Sequence, residues 1–267
     1  MQSGQTEELA SIPSARDELY PVQVEESAMY VLLPDGKAST GQMALLLPGG
    51  GYKLVALAQC FDTAKWLNSI GVACAILEYR LPQGNPEKPL ADITNAWQCI
   101  GQHAQRWGVA MDKTGIMGFS AGGQLAANWS TLFAHDAALR PAFSILFYPV
   151  IDLLDPNWHE FAQRFLGQSP SQEALEKYSA HLQVGKNTPP ALVMLSDDDK
   201  VVPPAHGILY YNALHKQGIS ASLHIFATGG HAWSLGDGAI SGQLCNHAKP
   251  AMEVAADWLA RLGCKCT

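Results

Sequence analysis

Along most of the chain, short apolar runs alternate with longer stretches whose apolar residues recur every three or four positions. Residues 42–47, 72–79, 142–148 and 191–195 are near-continuous apolar runs of strand length, the pattern of strands covered on both faces. Residues 61–69, 90–107, 204–216 and 250–262 read as helices. The second of them places Ile93, Ala96, Trp97 and Ile100 on one face, and Gly71 and Gly218 stop the first and third. A short strand at 113–117 leads into a helix at 123–133, and 222–225 supplies a late strand. Ahead of these, 19–24 and 28–33 alternate as two strands followed by a Pro34-Asp35-Gly36 turn, and residues 1–18 read as a flexible lead. Repeated strand–helix alternation predicts an α/β fold with a mostly parallel sheet and helices on both faces. Residues 150–190 break the rhythm. They are too long for an ordinary connection and are rich in aromatics, so we expect an insertion with short helices that forms a lid or pocket wall.

The 267 residues are 48% hydrophobic, enough to fill the core of a single domain over 19–267. A net charge of -7 without any basic run argues against nucleic acid as a partner. No apolar stretch reaches the length of a membrane-spanning helix, which argues against a membrane partner. The polar start, with two glutamates in the first ten residues, lacks the features of a signal peptide. The chain as given therefore reads as cytoplasmic, and removal of a leader would make it secreted or periplasmic. The six cysteines (Cys60, Cys74, Cys99, Cys245, Cys264 and Cys266) have no zinc-site spacing; Cys74 reads as a small buried hydrophobe and the last two as thiols of a frayed tail.

Chemistry concentrates in three segments. Gly118-Phe119-Ser120-Ala121-Gly122 is a Gly-x-Ser-x-Gly elbow, a sharp strand-to-helix turn that lifts a serine hydroxyl clear of a sheet. A serine is a poor nucleophile until a base takes its proton. His231, in the glycine-rich loop after the strand at 222–225, is the expected base; His103, His206, His215 and His224 fall in or beside helices and strands. The acid is expected after the strand at 191–195, in Asp197-Asp198-Asp199. Mutual repulsion requires at least two of these carboxylates to face water. Asp199 is the first choice, Asp198 the second, and Asp152 a lesser candidate. Pro48-Gly49-Gly50-Gly51-Tyr52 follows an early strand, and its bare backbone N–H groups, with that of Ala121, suit an oxyanion hole at Gly50, Gly51 and Ala121. No Gly-Lys-Ser/Thr follows, so the segment is not a phosphate loop. Tyr52, Trp158 and Trp233 adjoin these loops and are candidate substrate contacts. Trp66, Trp97, Trp129 and Trp258 have helical core spacing, and an Arg80–Asp92 pair reads as scaffold.

The Pro48–Tyr52 segment, Tyr79-Arg80-Leu81-Pro82, the extended elbow from Gly115 to Gly123, Arg140-Pro141, Tyr148-Pro149-Val150, the run from Ser196 to Pro203 and Gly229-Gly230-His231 occur in one order. In this the chain resembles the α/β-hydrolase carbohydrate esterases of the acetylxylan and feruloyl esterase-like group. The resemblance implies an eight-stranded hydrolase fold and the order Ser120, Asp199, His231 for a serine triad. It also implies no cofactor and a secreted or periplasmic enzyme of plant-polysaccharide degradation. Two departures stand out: Pro48 replaces the histidine of the better-known His-Gly-Gly-Gly motif, and Ala232 replaces a glycine expected after His231. The expected activity is a serine esterase removing acetyl or other small acyl groups from carbohydrate esters. The rivals are a general carboxylesterase or lipase, a prolyl-oligopeptidase-type peptidase and a non-catalytic relative of the fold.

Overall fold

Strands form where the apolar runs fall. The computed structural model describes residues 20–24, 26–35, 38–236 and 247–262; the lead at 1–18, Gly36, Cys245, Cys264 and Cys266 lie outside them. Among the described residues eight strands join in one sheet. They are β1 (Tyr20–Val24), β2 (Ser27–Leu32), β3 (Met43–Leu47), β4 (Ala73–Glu78), β5 (Thr114–Phe119), β6 (Ser144–Phe147), β7 (Ala191–Ser196) and β8 (Ala221–Phe226). Their spatial order is β1-β2-β4-β3-β5-β6-β7-β8. The first two are antiparallel to their neighbours, and the other six run parallel. Every residue of β3, β5, β6 and β7 is buried. Successive side chains point to opposite faces of a sheet, so this burial means that both faces are covered.

The cover comes from α1 (Ala58–Ser69), α2 (Glu87–Trp107), α3 (Ala121–Leu132), α4 (His159–Leu166), α5 (Gln172–Lys177), α6 (Ala205–Lys216) and α7 (Ala248–Arg261). α1 packs on β2 and β4, α3 on β3, β5 and β6, and α6 on β7 and β8. Both α2 and α7 begin earlier than the sequence pattern predicts, at Glu87 rather than Leu90 and at Ala248 rather than Pro250. Pro89 and Pro250 each sit in the first turn, where a missing N–H leaves no helical hydrogen bond unmade. The scaffold pair forms as expected: the fully buried Asp92 accepts from the backbone N–H of Arg80 at 2.7 Å and from its guanidinium at 2.7–3.1 Å.

Strand order positions the site. From β3 the chain passes to β4 on one side and then to β5 on the other, which opens a crevice beyond the carboxyl ends of β3 and β5. Leu47 pairs with Gly118, so the glycine-rich segment leaving β3 emerges beside Ser120. The stretch between β6 and β7 holds α4, α5 and two short 3-10 turns, Pro156–Trp158 and Ala180–Leu182.

Candidate active site

Ser120 stands between β5 and α3 with φ 54° and ψ -115°, a conformation that costs a non-glycine residue about 1–3 kcal/mol. The surroundings enforce it. The Ser120 N–H donates to the Phe147 carbonyl at 3.0 Å, and the Ser120 carbonyl accepts from Gln124 N–H at 3.0 Å. A Cβ on Gly122 would overlap the Leu47 and Pro48 carbonyl oxygens, so the turn closes only with glycine there.

The Ser120 hydroxyl lies 2.9 Å from His231 Nε2, and His231 Nδ1 lies 2.7 Å from Asp199 Oδ2. The other oxygen of Asp199 accepts from the N–H groups of Val201 and Val202 at 2.8 and 2.9 Å. Its side chain is 1% exposed, whereas Asp197 and Asp198 face solvent. Asp198 accepts from the Gly230 N–H at 2.7 Å and so ties the loop that carries His231. Asp152 lies elsewhere and accepts from the Leu154 N–H at 2.9 Å.

The His231 loop is held from two sides by residues to which the sequence alone assigns no role. Gln59 donates to the Ala232 carbonyl, and Thr63 exchanges hydrogen bonds with Leu235 N–H and C=O at 3.2 Å, both from α1. From the end of β6, the Tyr148 hydroxyl donates to the Trp233 carbonyl, while its ring centroid lies 4.5 Å from the imidazole. In the sequence Tyr148 stands out through the Tyr148-Pro149-Val150 segment and its place at the carboxyl end of a strand, neither of which assigns it this contact. Ala232 has φ 69°, which accounts for the glycine expected at that position.

The Pro48–Tyr52 segment folds into a turn against the elbow. Its carbonyls are engaged: Gly49 accepts from Ala56, Gly50 from Lys53, and Gly51 from Arg164 Nε at 2.9 Å. A Cβ on Gly49 would stand 3.3 Å from Ser120 Cβ, and one on Gly50 would overlap the Leu54 carbonyl. The backbone N–H groups of Gly50, Gly51 and Ala121 donate to no acceptor among the described residues.

The aromatic candidates separate. Trp233 does not face a ligand: it is 2% exposed, donates its Nε1–H to Ser196 Oγ at 2.9 Å and packs edge-on against Phe147, Tyr148 and Phe226. That expectation is corrected; the glycines that free His231 return the chain to the core two residues later. Tyr52 is also buried, stacked on Phe165 of α4 at 5.0 Å with its hydroxyl on Gln124 and the Ala121 carbonyl, and burial pushes that hydroxyl well above the usual tyrosine range. Its edge still borders a groove outside the Pro48–Tyr52 turn. Trp158 is half-buried, edge-on to His206 at 4.7 Å and to Phe161 at 5.7 Å.

Comparison with known proteins places this geometry. The prolyl oligopeptidase family matches residues 77–248. An acetylxylan esterase of Xylanibacter ruminicola is 35% identical over 209 residues, covering 76% of this chain and 42% of that protein. Endo-1,4-beta-xylanase B of Butyrivibrio fibrisolvens is 30% identical over 204 residues, 72% of this chain and 32% of that protein. The chain thus spans less than half the length of these curated relatives. Among solved structures, an acetyl ester-xyloside bifunctional hydrolase from Caldicellulosiruptor lactoaceticus superposes with a TM-score of 0.78 at 27% identity, covering 92% of this chain and 96% of that one. A carboxylesterase from Lactobacillus plantarum gives 0.79 at 20% identity over 94% and 98%, a likeness of fold. The fold is that of the α/β-hydrolases.

Proposed function

The chain belongs to the prolyl oligopeptidase family, and from that premise we propose that it is a serine esterase removing acetyl or other small acyl groups from carbohydrate esters such as acetylated xylan. The observation that carries the reading is the unbroken line of hydrogen bonds from Ser120 through His231 to Asp199, at 2.9 and 2.7 Å. In this reading Ser120 attacks the ester carbonyl carbon as His231 Nε2 takes its proton. His231 then returns the proton to the leaving alcohol, and water cleaves the acyl-enzyme by the same steps in reverse. Asp199 fixes the tautomer with Nδ1–H toward the acid and stabilises the imidazolium. The N–H groups of Gly50, Gly51 and Ala121 bind the oxyanion, each worth about 3 kcal/mol of barrier. No cofactor enters this chemistry.

The substrate class rests on the acetylxylan esterase and the acetyl ester-xyloside hydrolase, to which much of this chain is similar. The amide-lined groove beside the oxyanion segment favours a polar alcohol over a lipid. The test is acetate release from acetylated xylo-oligosaccharides beside hydrolysis of 4-nitrophenyl acetate and of a prolyl-peptide anilide, with Ser120→Ala as the blank. Serine-dependent release from the oligosaccharide supports the reading. Activity on the activated ester alone leaves a general esterase, and anilide cleavage a peptidase.

A further inference from the structure

A groove of about 620 Å³ opens on the outer side of the oxyanion segment, lined by Tyr52, Gln83, Gln163, Arg164 and Gln168, with Glu160 at its rim. Its volume is in the range of small-molecule sites. Three stretches far apart in sequence build it. The turn after β3 supplies Tyr52, the loop after β4 supplies Gln83 and Gly84, α4 and its end supply the rest, and the Gly84 N–H donates to the Arg164 carbonyl at 2.9 Å. Of the short helices between β6 and β7, α4 walls the cavity, and its Phe161 and Phe165 pack on Tyr52 at 5.0 Å to seat that wall against the site.

The lining selects the ligand. Three of the side chains are primary amides, each carrying donors and acceptors together. Gln163 uses its amide N–H on the Gln168 carbonyl at 2.8 Å, and its Oε1 has no partner among the described residues. Gln83 accepts from Lys88 Nζ at 3.4 Å, which leaves its amide N–H groups available. The one cation, Arg164, has the Glu160 carboxylate at 3.9 Å, so the charges offset and nothing favours an anion. Neighbouring hydroxyls that both donate and accept are what such amides match.

We propose that this groove is the carbohydrate subsite of the esterase, holding the unreacted sugar residues of a xylan-like oligosaccharide while its ester reaches Ser120; the inference rests on the function proposed above. Arg164 links the two. Its Nε–H holds the Gly51 carbonyl at 2.9 Å while the guanidinium borders the groove, so it is a positioning residue through which an occupied groove steadies the oxyanion segment.

The test combines Gln163→Ala and Gln168→Ala, side chains at the surface of the groove that touch neither Ser120 nor the His231 loop. Losing two such hydrogen bonds lowers kcat/KM on acetylated xylo-oligosaccharides by roughly 10-fold, chiefly through KM, and leaves 4-nitrophenyl acetate within about 2-fold. In parallel, Ser120→Ala protein is titrated with unacetylated xylotetraose by calorimetry or NMR, and the double variant in that background weakens binding by the same factor. Equal effects on both ester substrates, or none on either, overturn the groove assignment even if acetylated oligosaccharides are hydrolysed. Absence of xylotetraose binding together with absence of sugar-ester hydrolysis overturns the function reading and the subsite with it.

Discussion

Asp199 meets His231 with one carboxylate oxygen, 2.7 Å from Nδ1, and has the other oxygen fixed by the N–H groups of Val201 and Val202. The carboxylate is thus oriented toward the imidazole by its own turn. Its neighbour Asp198 points outward and holds only the Gly230 N–H. Asp199→Asn keeps the shape but donates or accepts at the wrong atom, so kcat on 4-nitrophenyl acetate should fall by about 10³–10⁴-fold with little change in KM. Asp198→Asn should cost less than about 10-fold. The reverse order of losses would move the acid to Asp198.

Ala232 sits at φ 69° directly after His231, where an L-residue pays about 1–2 kcal/mol. Glycine removes that strain and adds unfolded-state freedom of about 0.4–1 kcal/mol. Ala232→Gly should therefore raise stability by up to about 1 kcal/mol, measured as the midpoint of urea unfolding. A loss of stability would show that contacts of the Ala232 methyl outweigh the backbone strain.

Tyr148→Phe removes the hydroxyl that satisfies the buried Trp233 carbonyl and leaves the ring against His231. An unsatisfied buried carbonyl costs about 1–3 kcal/mol, so the thermal midpoint should drop by several degrees. Turnover should drop as well, because the same bond anchors the loop two residues beyond His231. An unchanged melting curve would mean that the carbonyl finds another donor.

His206 links α6 to the segment after β6: its Nδ1 accepts from the N–H groups of Ile151 and Asp152 at 3.0 and 3.1 Å, which only a neutral ring allows. Burial lowers its pKa from 6.5 to about 4, against the opposing pull of Asp152 and Asp155. The unfolded chain takes up this proton first, so the stabilisation is complete above about pH 6.5 and is lost as pH falls from there toward 4. The loss is of order 3 kcal/mol. His206→Asn, whose side-chain oxygen can accept the same bonds, should flatten that part of the stability profile in urea titrations between pH 7 and pH 4. An unaltered slope would assign the acid sensitivity to other groups.

Much of this was legible before any coordinates. The alternation of apolar runs and helical stretches carried the parallel sheet, because a strand buried on both faces has few polar residues. The elbow at Ser120 and the glycine loop at His231 are local signals. What failed locally was decided by packing. Leu90 and Pro250 read as helix starts, yet both helices begin before them, because a first turn accepts proline anywhere its N–H would be unpaired. Trp233 looked like a loop aromatic and is core, since sequence does not show how soon a loop dives back. The preference for Asp199 over Asp198 matches a turn that buries Asp199 beside His231 and points its two neighbours to solvent. Gln59 and Thr63 hold the His231 loop from more than 160 residues away, a relation with no sequence signature.

The central claim is that Ser120 is the nucleophile activated by His231. An activated alkyl phosphonate ester reacts with such a serine and stays attached, so peptide mass spectrometry of the labelled protein tests it most directly. The expected result is stoichiometric label on the peptide containing Ser120, with labelling at least about 100-fold slower in His231→Ala. Label on a different residue, or labelling of Ser120 at the same rate without His231, would contradict it.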